Sequence, residues 1–414
     1  MTGAGRPAVT EYAYPVAADT FGPEERAAVE EVLASGRFTM GPRVAEFEAV
    51  FAEWVRSPHA VMVNSGSSAN LLMVEAMLRG SDAEPGWQPG DEVLVPALAW
   101  PTTVWPLVQL GLTPVFVDID PDTLAIDLAS AESVVSDKTR GMFLIHVLGQ
   151  PPDMAAVVEF NRAHGLHLLE DTCEALGSHA GGSHAGTIGR MGSFSFFFSH
   201  HLTTIEGGMV TTGSEGIRDD LRSMRSHGWA RDRGDRQQWA DANPGIDSRF
   251  LFVGTGYNLR PTEINAAIGL VQLGRLDDMV RRRHELAAHA AKWVTDIPWL
   301  RLIGSERLGA PALDARSWLA HSWMMLAFEV AGDAPVSAQA AARRLEDMGI
   351  ETRPIVAGNL VRHPAMDRIQ YRTADSLAIA DRILERGFMI GCHPTAEQSA
   401  IDHLEAAFST LGEL

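Results

Sequence analysis

Lysine is almost missing from this chain of 414 residues, where only Lys138 and Lys292 occur. Cysteine is as scarce: Cys173 and Cys392 are alone, too few for a disulfide framework and suited to a reducing compartment. No basic run is longer than Arg281-Arg282-Arg283, and 53 acidic residues against 34 basic ones leave a formal net charge of −19. That balance disfavours nucleic acid and anionic membrane as partners, since both need a positive face. No apolar stretch approaches the ~20 residues of a membrane-spanning helix. The opening MTGAGRPAVTEYAYP carries no apolar core of a secretory signal. Internal repeats and low-complexity tracts are also absent. Composition predicts a cytoplasmic globular protein, long enough for one large and one small domain.

What is present is an alternation of short apolar runs with helical stretches. Seven runs read as strands: HAVMVN (59–64), DEVLVP (91–96), TPVFVD (113–118), RGMFLIHV (140–147), LHLLED (166–171), SFSFFF (193–198) and GMVTTG (208–213). Helical spacing fills the gaps between the first five, as at 67–78 and 154–163. Buried β-rich runs separated by helices predict an α/β domain with a mainly parallel seven-stranded sheet. From His284 the pattern changes to longer helices and short strands. The division is therefore expected at 1–283, with an N-terminal arm, and 284–414, a smaller α+β unit. Residues 230–250, polar and turn-rich, read as a surface excursion.

Three segments carry chemistry. NSGSSANLL (64–72) follows an apolar run and opens a helix. Gly66 allows close backbone approach there, and Ser67 lies where free N–H groups favour an anion; a phosphate site and an ordinary capped turn both fit. LLEDTCEALGS (168–178) puts Asp171 at a strand end, where ligands collect on open α/β sheets. A carboxylate there can hold a heterocyclic nitrogen in its protonated form or serve only as a cap, and Cys173 reads as a small core residue. In SFSFFFSHHLTTIEGG (193–208), His200 and His201 invite a metal. Neighbours on an extended chain point to opposite faces, however, and no zinc-type spacing accompanies them.

Taken in order, NSGSSANLL, PALAWPTT, LLEDTCEALGS, SFSFFFSHHLTTIEGG and GYNLRPTEINAAIG resemble the DegT/StrS sugar aminotransferases, pyridoxal-phosphate enzymes of fold type I, over nearly the whole chain. The resemblance implies that Trp100 stacks on the pyridine ring and Asp171 pairs with its nitrogen. It implies that Gly66, Ser67 and Ser195 hold the phosphate, and that Asn258 reaches that phosphate from a second subunit, making a homodimer. Glu174 falls where the family's aminotransferases usually have glutamine, close to the ring hydroxyl. His200 falls on the lysine that tethers the cofactor.

An imidazole cannot form the imine that a primary amine forms, and neither lysine of this chain lies in a cofactor segment. Pyridoxal 5′-phosphate and its amine form, pyridoxamine 5′-phosphate, are therefore expected to bind non-covalently, with His200 as a base of unperturbed pKa about 6.5. Once a keto sugar has condensed with the amine form, loss of a proton drives electrons toward the sugar. Reprotonation there gives an amino sugar; expulsion of a β-hydroxyl gives dehydration. A lysine could recapture the cofactor after elimination, whereas histidine cannot, so ammonia and a deoxy ketosugar are the expected products. The 3-dehydratase branch of the family carries histidine at this point, and TRPIVAGNLVRHP (352–364) is similar to that branch. The branch implies a nucleotide-linked 4-keto-6-deoxy sugar and L-glutamate as partners.

An iron–sulfur cluster needs four thiolates, which rules it out on two distant cysteines. His227, Arg353 and Asn359 are candidate substrate contacts, with Arg231 a weaker one; for His227 a surface turn fits as well. His321 receives no role. Two other readings stay open: an aminotransferase in which His200 performs the whole proton transfer, and a cofactor-binding protein without catalysis.

Overall fold

A computed structural model of the chain describes residues 12–80, 85–310 and 319–413. The expected N-terminal arm falls mainly on residues 1–11, outside these. The seven apolar runs become β1 (His59–Val63), β2 (Glu92–Pro96), β3 (Thr113–Val117), β4 (Thr139–Ile145), β5 (His167–Asp171), β8 (Met191–Ser195) and β9 (Gly208–Thr212). Between β5 and β8 a small ribbon pairs β6 (His179–Ala180) with β7 (Ser183–His184). The C-terminal segment adds β10 (Leu300–Leu302), β11 (Met325–Val330), β12 (Thr352–Arg353), β13 (Arg372–Thr373) and β14 (Gly387–Gly391).

The large sheet runs β1-β9-β8-β5-β4-β2-β3-β13, and only β9 is antiparallel to its neighbours. It has eight strands, not the expected seven. The extra one, β13, comes from the C-terminal segment and pairs Arg372 with Val115 and Thr373 with Phe116. Arg372 fastens this edge by an ion pair to Glu92 at 2.6 Å. A second, antiparallel sheet runs β10-β11-β14-β12. The expected division at 283/284 lies inside the helix Leu276–Trp293, and Tyr14, from the N-terminal side, donates its hydroxyl to Gly391 O beside this second sheet.

Local chemistry explains these limits. Ser65 caps the helix Gly66–Arg79 by accepting from Ser68 N at 3.1 Å, and Asp153 caps Met154–His164 from its side chain. Gly165, with φ at 65°, ends the latter helix in the left-handed region. Alternation along β8 and the residues after it turns Phe194 and Phe196 into the core, against Phe47 and Phe51 with ring centroids 5.1–5.5 Å apart. Each buried phenylalanine is worth about 1.5–3 kcal/mol in removed apolar surface. The opposite face of the same strand carries Ser195, which is the last residue of β8 and so stands at the strand's carboxyl end.

Candidate active site

The carboxyl ends of the parallel strands open into a cavity of about 690 Å³, walled on the other side by the second sheet. It brings together Gly66, Ser67, Trp100, Asp171, Glu174, Ser195, His200 and Arg353, which the sequence separates by up to 287 positions (353 − 66). Lys138 and Lys292 are exposed and do not line it.

Asp171 sits at the end of β5, only 4% exposed. Its Oδ2 accepts from Asn70 Nδ2 at 2.8 Å and Thr103 Oγ1 at 2.7 Å, and its Oδ1 accepts from Cys173 N at 3.1 Å. Two helices, Gly66–Arg79 and Pro101–Gln109, thus aim one carboxylate. Asn70 and Thr103 were legible as members of NSGSSANLL and PALAWPTT, yet nothing in either segment marks them as partners of a residue 101 and 68 positions away.

The start of the helix Gly66–Arg79 forms the next wall. A Cβ on Gly66 would stand 2.6 Å from Ser195 Cβ and 2.9 Å from Cys173 Sγ, so only glycine lets strand and helix meet there. Ser67 donates its hydroxyl to Thr102 Oγ1 at 2.9 Å. Trp100, N-cap of Pro101–Gln109, lines the cavity and is 56% exposed.

Glu174 accepts from Leu148 N at 2.9 Å through Oε2. Burial pushes its carboxyl up to about 7; the Leu148 bond opposes this, and the charge of Asp171 adds to it. His200 follows the turn after β8. Burial and then the Arg283 guanidinium push its imidazole down to about 4, and its Nδ1 has no hydrogen-bond partner among the described residues. The imidazole is therefore less basic than the ordinary value of about 6.5 expected from the sequence. His201 turns away, its Nε2 3.0 Å from Ser322 O, so the two imidazoles diverge. Among the described residues no three His, Cys, Asp or Glu converge on a metal position.

Arg353 reaches the cavity from β12, paired with Glu351 and donating to Thr352 O at 3.0 Å. Asn359 does not reach it. Its side chain is buried, donating to Asp381 Oδ1 at 2.7 Å and accepting from Val361 N at 3.1 Å, a capping arrangement in place of the substrate contact expected of it. His227 is exposed outside the cavity at φ 65°, and Arg231 lies over the Trp229 ring at 4.5 Å. Asn258 is also exposed, outside its own chain's cavity, and accepts from Arg260 Nε at 3.0 Å.

The model of the DegT/DnrJ/EryC1/StrS aminotransferase family matches residues 19–409. The chain belongs to this family. It is 36% identical over 384 residues to GDP-4-keto-6-deoxy-D-mannose 3-dehydratase of Yersinia pseudotuberculosis, covering 92% of this chain and 94% of the relative. Among solved structures it is similar to the E. coli GDP-4-keto-6-deoxy-D-mannose-3-dehydratase with bound hydrated PLP, at TM-score 0.87 and 34% identity, covering 96% of this chain and 99% of that one. A structure of GDP-4-keto-6-deoxymannose-3-dehydratase with a trapped PLP-glutamate geminal diamine matches at TM-score 0.87 and 34% identity, covering 95% of this chain and 100% of the other.

The residues present fit the family's cofactor. The close approach at Gly66 leaves a cradle beside free helix-start amides for a phosphate. Asp171 is held rigid for a ring nitrogen by three hydrogen bonds, and the Trp100 face is open for stacking. No amine is in place for a covalent tether.

Proposed function

We propose that the chain is a 3-dehydratase dependent on pyridoxal and pyridoxamine phosphate, removing the C-3 hydroxyl of a nucleotide-linked 4-keto-6-deoxy sugar, with L-glutamate restoring the amine form and ammonia released. The observation that carries this reading is His200: an imidazole faces the cavity beside Asp171 and Trp100, and both lysines lie elsewhere. When bound, the cofactor supplies an amine for the sugar's keto group and a ring that withdraws electrons. Asp171 keeps the ring nitrogen protonated, Asn70 and Thr103 hold that carboxylate in line, and Glu174 faces the ring hydroxyl. Gly66, Ser67 and Ser195 bind the phosphate, and Trp100 covers the ring and excludes water.

His200 takes the proton from the cofactor's aminomethyl carbon. Its basicity is low in the bare cavity, and a bound phosphate's negative charge would raise it toward the range a general base needs. Having no primary amine, His200 cannot form a covalent tether to the cofactor, so the nitrogen left on the sugar would be hydrolysed by water and released as ammonia. Asn258, facing outward, contributes to the phosphate of a second subunit in a homodimer, and the scarce, unpaired cysteines suit a cytoplasmic setting. No helix among the described residues is long and apolar enough to cross a membrane.

The test combines protein, pyridoxal phosphate, L-glutamate and a GDP-linked 4-keto-6-deoxy sugar, then dTDP and CDP counterparts. One ammonia and one 2-oxoglutarate per 3-deoxy ketosugar supports the reading. An amino sugar without ammonia overturns it in favour of transamination, and cofactor binding without turnover on any sugar leaves a binding protein. His200→Lys is expected to gain a borohydride-reducible adduct while losing dehydration. A variant that dehydrates as fast as the parent removes His200 from its role.

A further inference from the structure

Directly behind His200 lies a charged group that the proposed reaction does not use. Arg283, on the helix Leu276–Trp293, is 4% exposed, and no carboxylate among the described residues pairs with it. Its Nη1 donates to Met324 O at 2.8 Å, to Trp323 O at 3.4 Å and to Cys392 O; its Nη2 donates to the main-chain carbonyl of His200 at 3.4 Å. Met324 immediately precedes β11, and Cys392 immediately follows β14. One guanidinium therefore joins the two central strands of the second sheet to the turn that presents the base.

A cation buried without a counter-ion is costly. Carbonyl dipoles offset that cost, but a neutral side chain of the same size would avoid it while filling the space. The charge therefore suggests a purpose beyond packing.

We propose that Arg283 is a positioning residue for His200, fixing the turn that aims the imidazole into the cavity and making that aim depend on how the second sheet is seated. This inference rests on His200 being the base. The surroundings supply its electrostatic half. Around His200 lie Arg283 behind it, His201 next in the chain and turned away, and Asp171, Glu174, Glu206, Glu351 and Arg353 on the cavity wall, with Tyr14 and Cys392 beside Arg283. Of these, Arg283 is the cation that acts on the imidazole, adding to burial in holding it neutral. A neutral base backed by a fixed positive charge accepts a proton only while the reaction drives it there, then gives it up.

The test uses Arg283→Lys and Arg283→Met in the full chain, with His200→Asn alongside. In the cofactor-free protein, the pH midpoint for modification of His200 by diethyl pyrocarbonate, read by peptide mass, is expected to rise by about one unit in Arg283→Met. It is expected to stay in place in Arg283→Lys, which keeps the charge. Arg283→Lys, with fewer donors, should still lose the bond to the His200 carbonyl, and kcat should fall about tenfold with the glutamate KM unchanged. An unmoved midpoint in the methionine variant together with an unchanged kcat in the lysine variant would leave Arg283 a packing residue and overturn the inference. If the methionine variant does not fold, kcat of the lysine variant decides alone. Full turnover by His200→Asn would instead remove the base assignment itself, a different failure from an inert Arg283.

Discussion

On one wall of the cavity, Asp171 and Ser195 stand at the ends of parallel strands and Gly66 opens the helix beside them; Asp171 is held by Asn70 and Thr103 at 2.8 and 2.7 Å, and Gly66 packs so near Ser195 that no Cβ fits between them. On the other, Arg353 belongs to a two-residue strand, its side chain half exposed and paired with a single carboxylate. Both walls belong to one cavity, yet only the first is over-determined. The rigid wall suits a group that is the same in every turnover, and the looser wall suits the part of the substrate that differs between family members.

Four changes would break or sharpen this contrast. The largest effect is expected on the rigid wall. Asp171→Ala should lower ammonia release by about 10³-fold or more, because the ring nitrogen loses its charged partner and Asn70 and Thr103 lose their acceptor. Loss below tenfold in a coupled ammonia assay would break the assignment. Next, Gly66→Ala must push Ser195 away to make room for a Cβ, and cofactor affinity is expected to drop about 10²-fold by fluorescence titration, with overpacking costing about 1–3 kcal/mol of stability. On the loose wall, Arg353→Gln should raise the KM for the sugar or for glutamate about tenfold while cofactor affinity holds, because an exposed arginine contributes little to the fold. Equal loss of cofactor affinity would show the two walls acting as one.

The smallest effect concerns Glu174. Its carboxyl is pushed up to about 7 in the folded chain against an ordinary value of 4.5, so the folded state holds the proton more tightly. The resulting stability is complete below pH 4.5 and is lost as pH rises through 7. Glu174→Gln removes this loss, and the cofactor-free variant should gain about 1 kcal/mol over the parent at pH 8 but little at pH 5, checked by urea unfolding at both values. A gain independent of pH would mean that the carboxylate is not strained there.

Much of the rigid wall was legible beforehand because its elements repeat strong local patterns. The seven apolar runs became strands whose ends lie within one to three residues of those expected, whereas Ser195 was marked only by the family resemblance. What escaped has no local signature. The pair Arg372–Thr373 is too short for a period to appear, so the eighth strand was invisible. Asn359 was read as a substrate contact because its neighbours match the dehydratase branch, but its commitment to Asp381 depends on a helix twenty residues away. The depression of the His200 imidazole could not be read from its neighbours in sequence either, since Arg283 approaches from 83 positions along the chain.

The pairing of β13 with β3 has a consequence for the chain's behaviour outside the active site. It covers part of the row of N–H and C=O groups on β3, which would otherwise be an edge strand and whose paired residues, Val115 and Phe116, are apolar. A proteolytic nick that frees residues 372–373 would bare that row as a template for a neighbouring molecule. A clip far from the reacting atoms would then be felt first as self-association.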